Sequence, residues 1–440
     1  MNEIDILGGG PAGLASAFYA KKKNISFRLY ESQKKIGGNC KTLIFDECNF
    51  DTGAHRLHDK DKIAIKTIKE LIKDDLLLVD APSKILWKNK MINFPLEPMN
   101  IVKSLSKKDI IKITMENLAI LLSRSTVEDN FQKFAYKKYE KTLSNYFLNN
   151  YTEKLWGVST QNLHPKVSGN RLNNLNILSM FRGLITKKKT KHYEGGFWYP
   201  RKGYGQIFDV IYSNLKDSIS CNSKIDKIYH DNNSIENISF SNGKNIKVQK
   251  VISTLPIDFL INNLEPKAPK EIIELASSFK FRNLRLGVFT LNTERFTKNA
   301  SIYFPQKNLP FTRIYEPKNR SPKMAPANKT CIVVEVPYSP NDVYDLLPDD
   351  EFLFDIKNSL IKYELIEKSI INKSKSIRML NAYPVLTIKS QFHLERINQF
   401  LAAFTNLINI GRNAQFEYLH THQLFRSAYE KISSISTNKK

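Results

Sequence analysis

The apolar positions at the start of the chain predict a strand, a helix and a second strand. Residues 4–7 are short and apolar, residues 11–22 are rich in alanine, and residues 25–30 are apolar again. A strand, a helix of this length and a parallel strand form one βαβ unit, which is typical of nucleotide-binding sheets. The first 30 residues therefore predict an α/β fold.

The apolar positions in the middle of the chain have helical spacing. In the second half, apolar and polar positions alternate as in strands. Residues 60–80 and 100–195 repeat apolar positions at helical spacing. Alternation returns after residue 218 and across 276–340, with Asn242-Gly243 as a turn signal. A last helix is predicted over about 391–407, followed by a short strand at 407–410. This order predicts strands interrupted by a helical insertion.

Composition adds a strong positive charge to this picture. The chain has 440 residues and a formal net charge of +24, from 67 Lys+Arg against 43 Asp+Glu. Such an excess suggests nucleic acid, an acidic membrane face or a phosphorylated small molecule as partner. No nucleic-acid recognition motif accompanies it, and the basic run at 187–191 lacks interleaved aromatic residues. Lysines spread over a solvated surface are the alternative explanation.

Cysteine usage and the N-terminal segment indicate the compartment. The four cysteines form no CxxC pair, which argues against a zinc site or a disulfide framework. The start, MNEIDILGGGPAG, is unlike a signal peptide, and no run of about 18 apolar residues predicts a transmembrane helix. We therefore expect a cytoplasmic protein with no metal and no membrane span, and peripheral membrane contact stays open.

A glycine motif stands between the first strand and the first helix. In the G-x-G-x-x-G pattern, one glycine permits the tight turn, one admits a pyrophosphate and one allows close helix–strand packing. The free N–H groups at the helix start favour phosphate, and an acidic residue at the end of the second strand can bind ribose hydroxyls. The cofactor-binding residues predicted here are Gly8, Gly10, Pro11, Ala12, Gly13 and Glu31.

A second glycine pair distinguishes FAD from NAD. It lies in ESQKKIGGNCKT at 31–42 and has no role in the minimal dinucleotide motif. This arrangement resembles the FAD-binding motif of glutathione-reductase-type flavoproteins, above all the amine-oxidase and protoporphyrinogen-oxidase-like superfamily. The resemblance implies non-covalent FAD, held also by Gly37, Gly38 and Asn39.

Later segments resemble one branch of that superfamily, the UDP-galactopyranose mutases and their oxidoreductase-like relatives. The similar segments keep one order along the chain: FDTGAHRLH at 50–58, KMINFPLEP at 90–98, NYTEKLWG at 150–157, VISTLP at 251–256, FRNLRL at 281–286 and INIGRNAQFEYL at 408–419. Two departures stand out. Leu175 replaces a substrate-binding arginine of the mutases, and His420 and His422 occupy a stretch where the mutases have an acidic residue.

The resemblance implies the fold class and its division. We expect an α/β protein with a Rossmann-like FAD-binding domain of the glutathione-reductase type, a mixed-sheet substrate domain and a helical insertion. The FAD-binding domain is split over residues 1–80, 200–265 and 395–440. The substrate domain covers 81–199 and 266–394, with the insertion at about 100–195.

The resemblance also assigns the remaining site residues. His55 would lie near the flavin ring, where an imidazole can exchange protons or hydrogen-bond. Arg282 and Tyr418 are the other catalytic candidates, for which a salt bridge and plain packing are the alternatives. Ile225, Gly411 and Arg412 are predicted to bind the cofactor, and Trp156 and Arg171 to bind substrate.

Three functions follow from this sequence. The favoured one is an FAD-dependent oxidoreductase that passes a hydride from a substrate carbon to flavin N5, with a nucleotide-sugar or glycan precursor as a candidate substrate. The second is a non-redox isomerase in which reduced flavin attacks a UDP-sugar, and Leu175 argues against it. The third is a non-enzymatic protein like the GDP-dissociation inhibitors, and the intact FAD motif argues against it. The partner is a small molecule rather than nucleic acid, and the oligomeric state stays open.

Overall fold

The computed structural model describes residues 3–122, 128–169 and 196–437. The strands, in chain order, are β1 (Ile4–Leu7), β2 (Phe27–Tyr30), β3 (Thr42–Phe45), β4 (Cys48–Asp51), β5 (Leu76–Val79), β6 (Ser83–Trp87), β7 (Lys90–Phe94), β8 (Phe197–Pro200), β9 (Ile219–Ser220), β10 (Ile225–His230), β11 (Ile235–Phe240), β12 (Asn245–Lys247), β13 (Lys250–Ser253), β14 (Leu264–Glu265), β15 (Phe281–Leu291), β16 (Ser301–Tyr303), β17 (Arg313–Tyr315), β18 (Thr330–Tyr338), β19 (Ile371–Pro384) and β20 (Leu407–Asn409). The α-helices are α1 (Pro11–Lys22), α2 (Lys62–Ile72), α3 (Pro98–Ser104), α4 (Lys107–Leu122), α5 (Phe131–Leu143), α6 (Asn150–Trp156), α7 (Gln206–Leu215), α8 (Ile257–Asn262), α9 (Lys270–Ser277), α10 (Val343–Leu346), α11 (Asp349–Lys362), α12 (Ile388–Leu401) and α13 (Thr421–Thr437).

A five-stranded parallel sheet, in the order β20-β13-β1-β2-β9, contains the predicted βαβ unit. Side chains of β1 alternate between two cores, as the pleat of a strand requires. Ile4 and Ile6 pack in the core shared with α1, α7 and α13, whereas Leu7 and Tyr30 pack in the core shared with β10 and β11. Burial on both faces explains why these strands are almost wholly apolar.

Helix α1 begins where the glycine motif ends. Pro11 occupies its first turn, where the missing N–H costs nothing, and Gly10 precedes it in an extended conformation. Small side chains such as Ala12, Ala15 and Ala17 are buried along the helix. They let the helix lie close against the sheet, so its N-terminus is held at the carboxyl end of β1.

A second, seven-stranded sheet has the order β19-β15-β18-β17-β16-β6-β7. Its strands are antiparallel neighbours except for β16 and β6, which run parallel. All eleven residues of β15 are buried, so this strand lies in the middle of the core. The predicted mixed-sheet α/β architecture is confirmed, whereas the domain boundaries stay a prediction.

Several predicted elements have other bounds, and some were missed. The predicted helix over 60–80 ends at Ile72, and the chain continues as β5. The helix predicted to be the last, at 391–407, is α12, and α13 follows it. Strand β19 escaped prediction because it pairs with β15 along one side only and most of its residues are polar and partly exposed.

The predicted helical insertion is present as α3 to α6 in the part that the structure describes, and its residues 170–195 lie outside that part. Helix α5 is kinked at Glu140, and a π-helical segment, Ser144–Asn149, leads into α6. Within the described residues, no helix has the length and apolar character needed to cross a bilayer.

Candidate functional site

A cleft of about 650 Å³ opens between the two large sheets. Its lower wall is formed by residues that follow β1, β2, β13 and β20, and its upper wall by residues of β15 to β17 and β19. Ligands of open α/β sheets bind outside the carboxyl ends of the parallel strands. This cleft occupies that position, and its volume is within the usual range for ligand sites.

The glycine motif forms one end of the cleft by close backbone contact. A Cβ atom on Gly13 would lie 1.9 Å from the Gly8 carbonyl oxygen, so only glycine allows α1 to approach the turn this closely. Gly8, Gly10, Pro11 and Ala12 line the cleft, whereas Gly13 lies behind it. The backbone N–H groups at the start of α1 donate no hydrogen bond to a capping side chain. This uncapped helix start is suited to an anionic phosphate.

Glu31 is fixed at the cleft wall by its neighbours. Its carboxylate accepts hydrogen bonds from the Gly9 N–H (2.7 Å), the Gln33 N–H (2.8 Å) and the Ser32 hydroxyl (3.1 Å). Only 8% of the residue is exposed. A carboxylate held in one orientation at the end of β2 can accept hydrogen bonds from ribose hydroxyls, as predicted.

The second glycine pair packs directly on the first motif. The Gly37 N–H donates to the Gly9 carbonyl oxygen at 2.8 Å. Gly38 has a φ of +54°, and a Cβ atom there would lie 3.1 Å from the Cα of Gly10. Gly38 and Asn39 line the cleft, whereas Gly37 supports the turn from behind. The two glycine motifs therefore form one continuous backbone cradle.

The C-terminal Gly-Arg segment closes the opposite wall. The Arg412 guanidinium donates to the Leu419 carbonyl oxygen through Nε (2.9 Å) and Nη2 (2.6 Å), and to the Ala382 carbonyl oxygen through Nη1 (3.1 Å). It lies over the rings of Tyr383 and Tyr418, with ring centroids 5.8 and 5.2 Å away. Among the described residues no carboxylate pairs with it. Its positive charge therefore faces the cleft uncompensated.

His55 lies deep in the cleft and is neutral at ordinary pH. Burial, followed by the charges of Arg412, Arg320 and Arg313, lowers the pKa of His55 to about 3. Its ring stacks on Tyr204 with centroids 5.0 Å apart, and its Nε2 lies 3.5 Å from the Cys40 Sγ. Its Nδ1 is buried without a hydrogen-bond partner in the structure. A neutral imidazole with an unsatisfied nitrogen can hydrogen-bond a ligand, but it cannot act as a cationic acid at neutral pH.

The low pKa of His55 gives a pH-dependent stability. We expect the free energy of unfolding to fall as the pH decreases below about 6.5, because the unfolded chain then binds a proton at this histidine and the folded chain does not until about pH 3. Between pH 7.5 and 5.5 this group alone contributes a loss of about 1.4 kcal/mol. Urea unfolding of the wild type and His55→Asn at both pH values measures it. Parallel losses in the two proteins would contradict the assignment.

The structure adds a buried ion pair that sequence reasoning missed. Arg313 on β17 donates through Nε and Nη2 to both carboxylate oxygens of Glu335 on β18, each at 2.8 Å. Glu335 is 1% exposed and also accepts the Ala54 N–H at 3.2 Å. Arg313 lines the cleft together with Tyr303 and Tyr383. The sequence offered only the two predicted strands as a signal, because two side chains 22 residues apart need not meet in the folded chain.

Of the other predicted site residues, some line the cleft and others do not. Ile225 and Tyr418 line the cleft, and so does Gly411. Trp156 is 3% exposed and packs behind the wall, with its ring centroid 5.5 Å from that of Tyr418. Arg171 lies outside the described residues. The substrate-binding roles of Trp156 and Arg171 stay predictions.

Arg282 does not line the cleft. Its guanidinium donates to the Leu155 and Pro337 carbonyl oxygens, each at 3.2 Å, and forms an ion pair with Asp342 at 3.5 Å. A Cβ atom on Gly157 would lie 2.8 Å from its Cζ. Arg282 thus joins the Trp-Gly segment to β15, and its catalytic role stays a prediction.

These features together test whether FAD fits. The cradle of glycines with its uncapped helix start suits the pyrophosphate, and the fixed Glu31 carboxylate suits a ribose. Farther along the same cleft, the buried Nδ1 of His55 has no hydrogen-bond partner in the structure, and its position near the flavin ring stays a prediction. The residues present therefore fit a dinucleotide cofactor.

Comparison with solved structures supports the same fold. The chain is similar to a reduced UDP-galactopyranose mutase, with a TM-score of 0.87 and 18% identity over 99% of this chain and 94% of that chain. It is also similar to a presumed protoporphyrinogen oxidase from Exiguobacterium sp. 255-15, with a TM-score of 0.77 and 14% identity over 99% of both chains. At these identities the likeness shows a shared fold and leaves the activity open.

Comparison by sequence identifies the family. A curated relative, ferredoxin–NADP reductase 2 of Listeria welshimeri, is 43% identical over 49 residues, which is 11% of this chain and 15% of that protein. So short a match says nothing of the whole activity. Residues 11–355 match the family model described as flavin containing amine oxidoreductase, which confirms the predicted superfamily and its FAD cofactor. The chain therefore belongs to the flavin containing amine oxidoreductase family.

Proposed function

We propose that the enzyme oxidises a small anionic molecule with several hydroxyl groups, of the nucleotide-sugar or glycan-precursor class. The observation that carries this proposal is the composition of the cleft beyond the FAD cradle. Beside apolar side chains such as Leu284 and Met379, its lining there includes an aromatic and cationic group: Tyr303, Arg313, Tyr383, Arg412 and Tyr418. A protonated amine would meet the Arg412 guanidinium, which pairs with no carboxylate among the described residues, whereas a phosphate or carboxylate would be attracted to it.

The chemistry is divided between the cofactor and the chain. Bound FAD supplies the acceptor for a hydride from a substrate carbon. Arg313 keeps its charge because Glu335 raises its pKa, and two of its three guanidinium nitrogens bind that carboxylate. The third, Nη1, does not bind this carboxylate, and we assign it as the donor to substrate. Burial raises the pKa of Tyr383, so its hydroxyl stays protonated and can donate a hydrogen bond.

An isomerase that uses reduced FAD is the second candidate. The same two guanidinium groups, Arg313 and Arg412, favour it, since a diphosphate is the kind of anion that such groups bind. Leu175, the departure that argues against it, lies outside the described residues. The similarity to the mutase structure supports the fold that both activities would use.

One experiment separates the two activities. The purified protein, loaded with FAD, is mixed without oxygen with nucleotide-sugars in its oxidised and in its dithionite-reduced form. Bleaching of the flavin spectrum by a substrate supports the oxidoreductase. Isomerisation by the reduced form alone, with no bleaching of the oxidised form, would instead establish the isomerase.

Replacement of Arg412 tests the anionic substrate. We expect Arg412→Met to raise the KM of the bleaching substrate at least about tenfold, because a hydrogen bond to a charged group contributes roughly 1.5–3 kcal/mol. Arg426→Met is the matched control, since Arg426 is partly exposed and paired with Glu430. Because the sequence also predicts that Arg412 binds the cofactor, Arg412→Met is assayed after loading with excess FAD, and Arg426→Met should retain FAD without it. An unchanged KM in the FAD-loaded Arg412 variant would show that the substrate does not contact this group.

A further inference from the structure

Helix α4 is anchored to the protein by one face. Ile113 is 8% exposed and belongs to the main core, and α4 packs along α5. On the same side, the Glu116 carboxylate accepts the Thr142 N–H (2.8 Å) and hydroxyl (3.0 Å), and the Asn117 side-chain amide reaches Glu140 at 3.4 Å. These contacts hold the helix against the protein through one face. The opposite face takes no part in them.

The opposite face of α4 is apolar and exposed. Ile111, Met115, Leu118 and Leu122 are 61%, 66%, 55% and 88% exposed. Their spacings of four, three and four residues place them in one line along the helix. We call these four residues the α4 stripe. A helix that is apolar on both faces is normally buried on both, so an exposed stripe of this kind marks a binding surface.

The surroundings of the α4 stripe carry positive charge. The exposed lysines between residues 88 and 112 are Lys88, Lys90, Lys103, Lys107, Lys108 and Lys112. None of them forms an ion pair with an acidic residue in the described parts of the chain.

The acidic side chains of this segment are partly buried and already occupied. Glu97 accepts from the Asn93 amide (2.8 Å), Asp109 accepts from the Ser106 hydroxyl (2.7 Å), and Glu116 is bound to Thr142 as described. Six exposed lysines stand against these three partly buried carboxylates, so the net charge around the stripe is positive. An anionic surface complements it.

We propose that the α4 stripe and its lysines bind the surface of a membrane that contains anionic lipids. An apolar line with flanking lysines is the pattern of helices that lie in the membrane interface, with the apolar face among the acyl chains and the lysines at the headgroups. A second copy of this chain fits poorly, because it would bring the same lysines and a further +24 of net charge to the contact. The neighbouring helix α3 adds exposed Met99 and Val102 to the same segment.

Vesicle binding by the FAD-loaded full chain tests the proposal. Sedimentation is measured with vesicles of phosphatidylcholine alone and of an equal mixture of phosphatidylcholine and phosphatidylglycerol. We expect binding to the mixture, weakened by added salt, and much weaker binding to the neutral vesicles. The double variant Met115→Gln/Leu118→Gln should bind the mixture at least about tenfold more weakly, since it removes the centre of the apolar line.

The control variant is Phe392→Gln, which replaces a side chain on α12 that is 68% exposed and far from the stripe in sequence. It should bind vesicles like the wild type, and all variants should retain FAD. Failure of the wild type to bind the mixed vesicles, or equal binding by the double variant, would overturn the proposal. So would a wild-type dimer that the double variant dissociates, because a second copy would then cover the stripe.

Discussion

Replacing Gly13 with valine is expected to abolish FAD binding. Any Cβ atom at this position would lie 1.9 Å from the Gly8 carbonyl oxygen, so α1 must move away from β1. The helix N-terminus and the cradle formed by Gly10 and Gly38 would separate with it. The purified variant should be colourless and should show no flavin spectrum after incubation with excess FAD.

The control for Gly13 is Gly243→Asn. Gly243 lies in the turn between β11 and β12, and a Cβ atom there has nothing within 4 Å. Asparagine tolerates the positive φ of this turn, so the free energy of unfolding should change by at most about 1 kcal/mol. A yellow, FAD-saturated Gly13→Val enzyme would show that the close helix–strand contact is not required.

Replacing Glu335 with glutamine is expected to lower the free energy of unfolding of the FAD-loaded enzyme by about 3–5 kcal/mol. The substitution keeps the volume and removes the charge that compensates Arg313, whose side chain is 12% exposed. A largely buried guanidinium left without its carboxylate is costly, because its charge is no longer compensated. The change also weakens the acceptor of the Ala54 N–H, beside His55. Urea unfolding at a fixed FAD concentration measures the loss.

Two further variants define the cause. Glu70→Gln breaks an exposed pair, in which Lys22 and Glu70 are 3.0 Å apart and about half exposed, and should cost at most about 1 kcal/mol. The double variant Arg313→Met/Glu335→Met should recover part of the stability that Glu335→Gln loses, because no charge remains buried. If the single and double variants lose the same amount, packing rather than charge explains the effect.

The FAD cradle could be predicted from the sequence, because its glycines act over a short stretch of the chain. Gly8, Gly10 and Gly13 act within one βαβ unit of about 30 residues, where a short turn, a helix start and an acidic residue have fixed relative positions. The strands and helices around them were also predicted, because burial on one or two faces leaves a clear periodicity. Strand β19, which is partly exposed and polar, left none.

The residues on the substrate side of the cleft could be predicted from the sequence only in part. His55 and Tyr418 line it, and their roles stay predictions, whereas Arg282 binds backbone carbonyls outside it. Arg313 and Glu335 escaped notice because they meet only when β17 pairs with β18. The neutral state of His55 likewise depends on burial and on three arginines from distant parts of the chain.

The cofactor and the fold family could be predicted from the order of residues, because they depend on glycines and on an apolar periodicity that act over short distances along the chain. Which charges face the cleft, which are compensated and which apolar residues remain exposed follows from the packing of the folded chain. Ile113 and Met115 lie two positions apart on α4, yet one is in the core and the other is exposed beside lysines. The positions of the charged side chains in the folded chain therefore suggest two partners for the net charge of +24: an anion in the cleft and an anionic membrane at the α4 stripe. Charge and burial depend on contacts between distant segments, and those exist only in the folded chain.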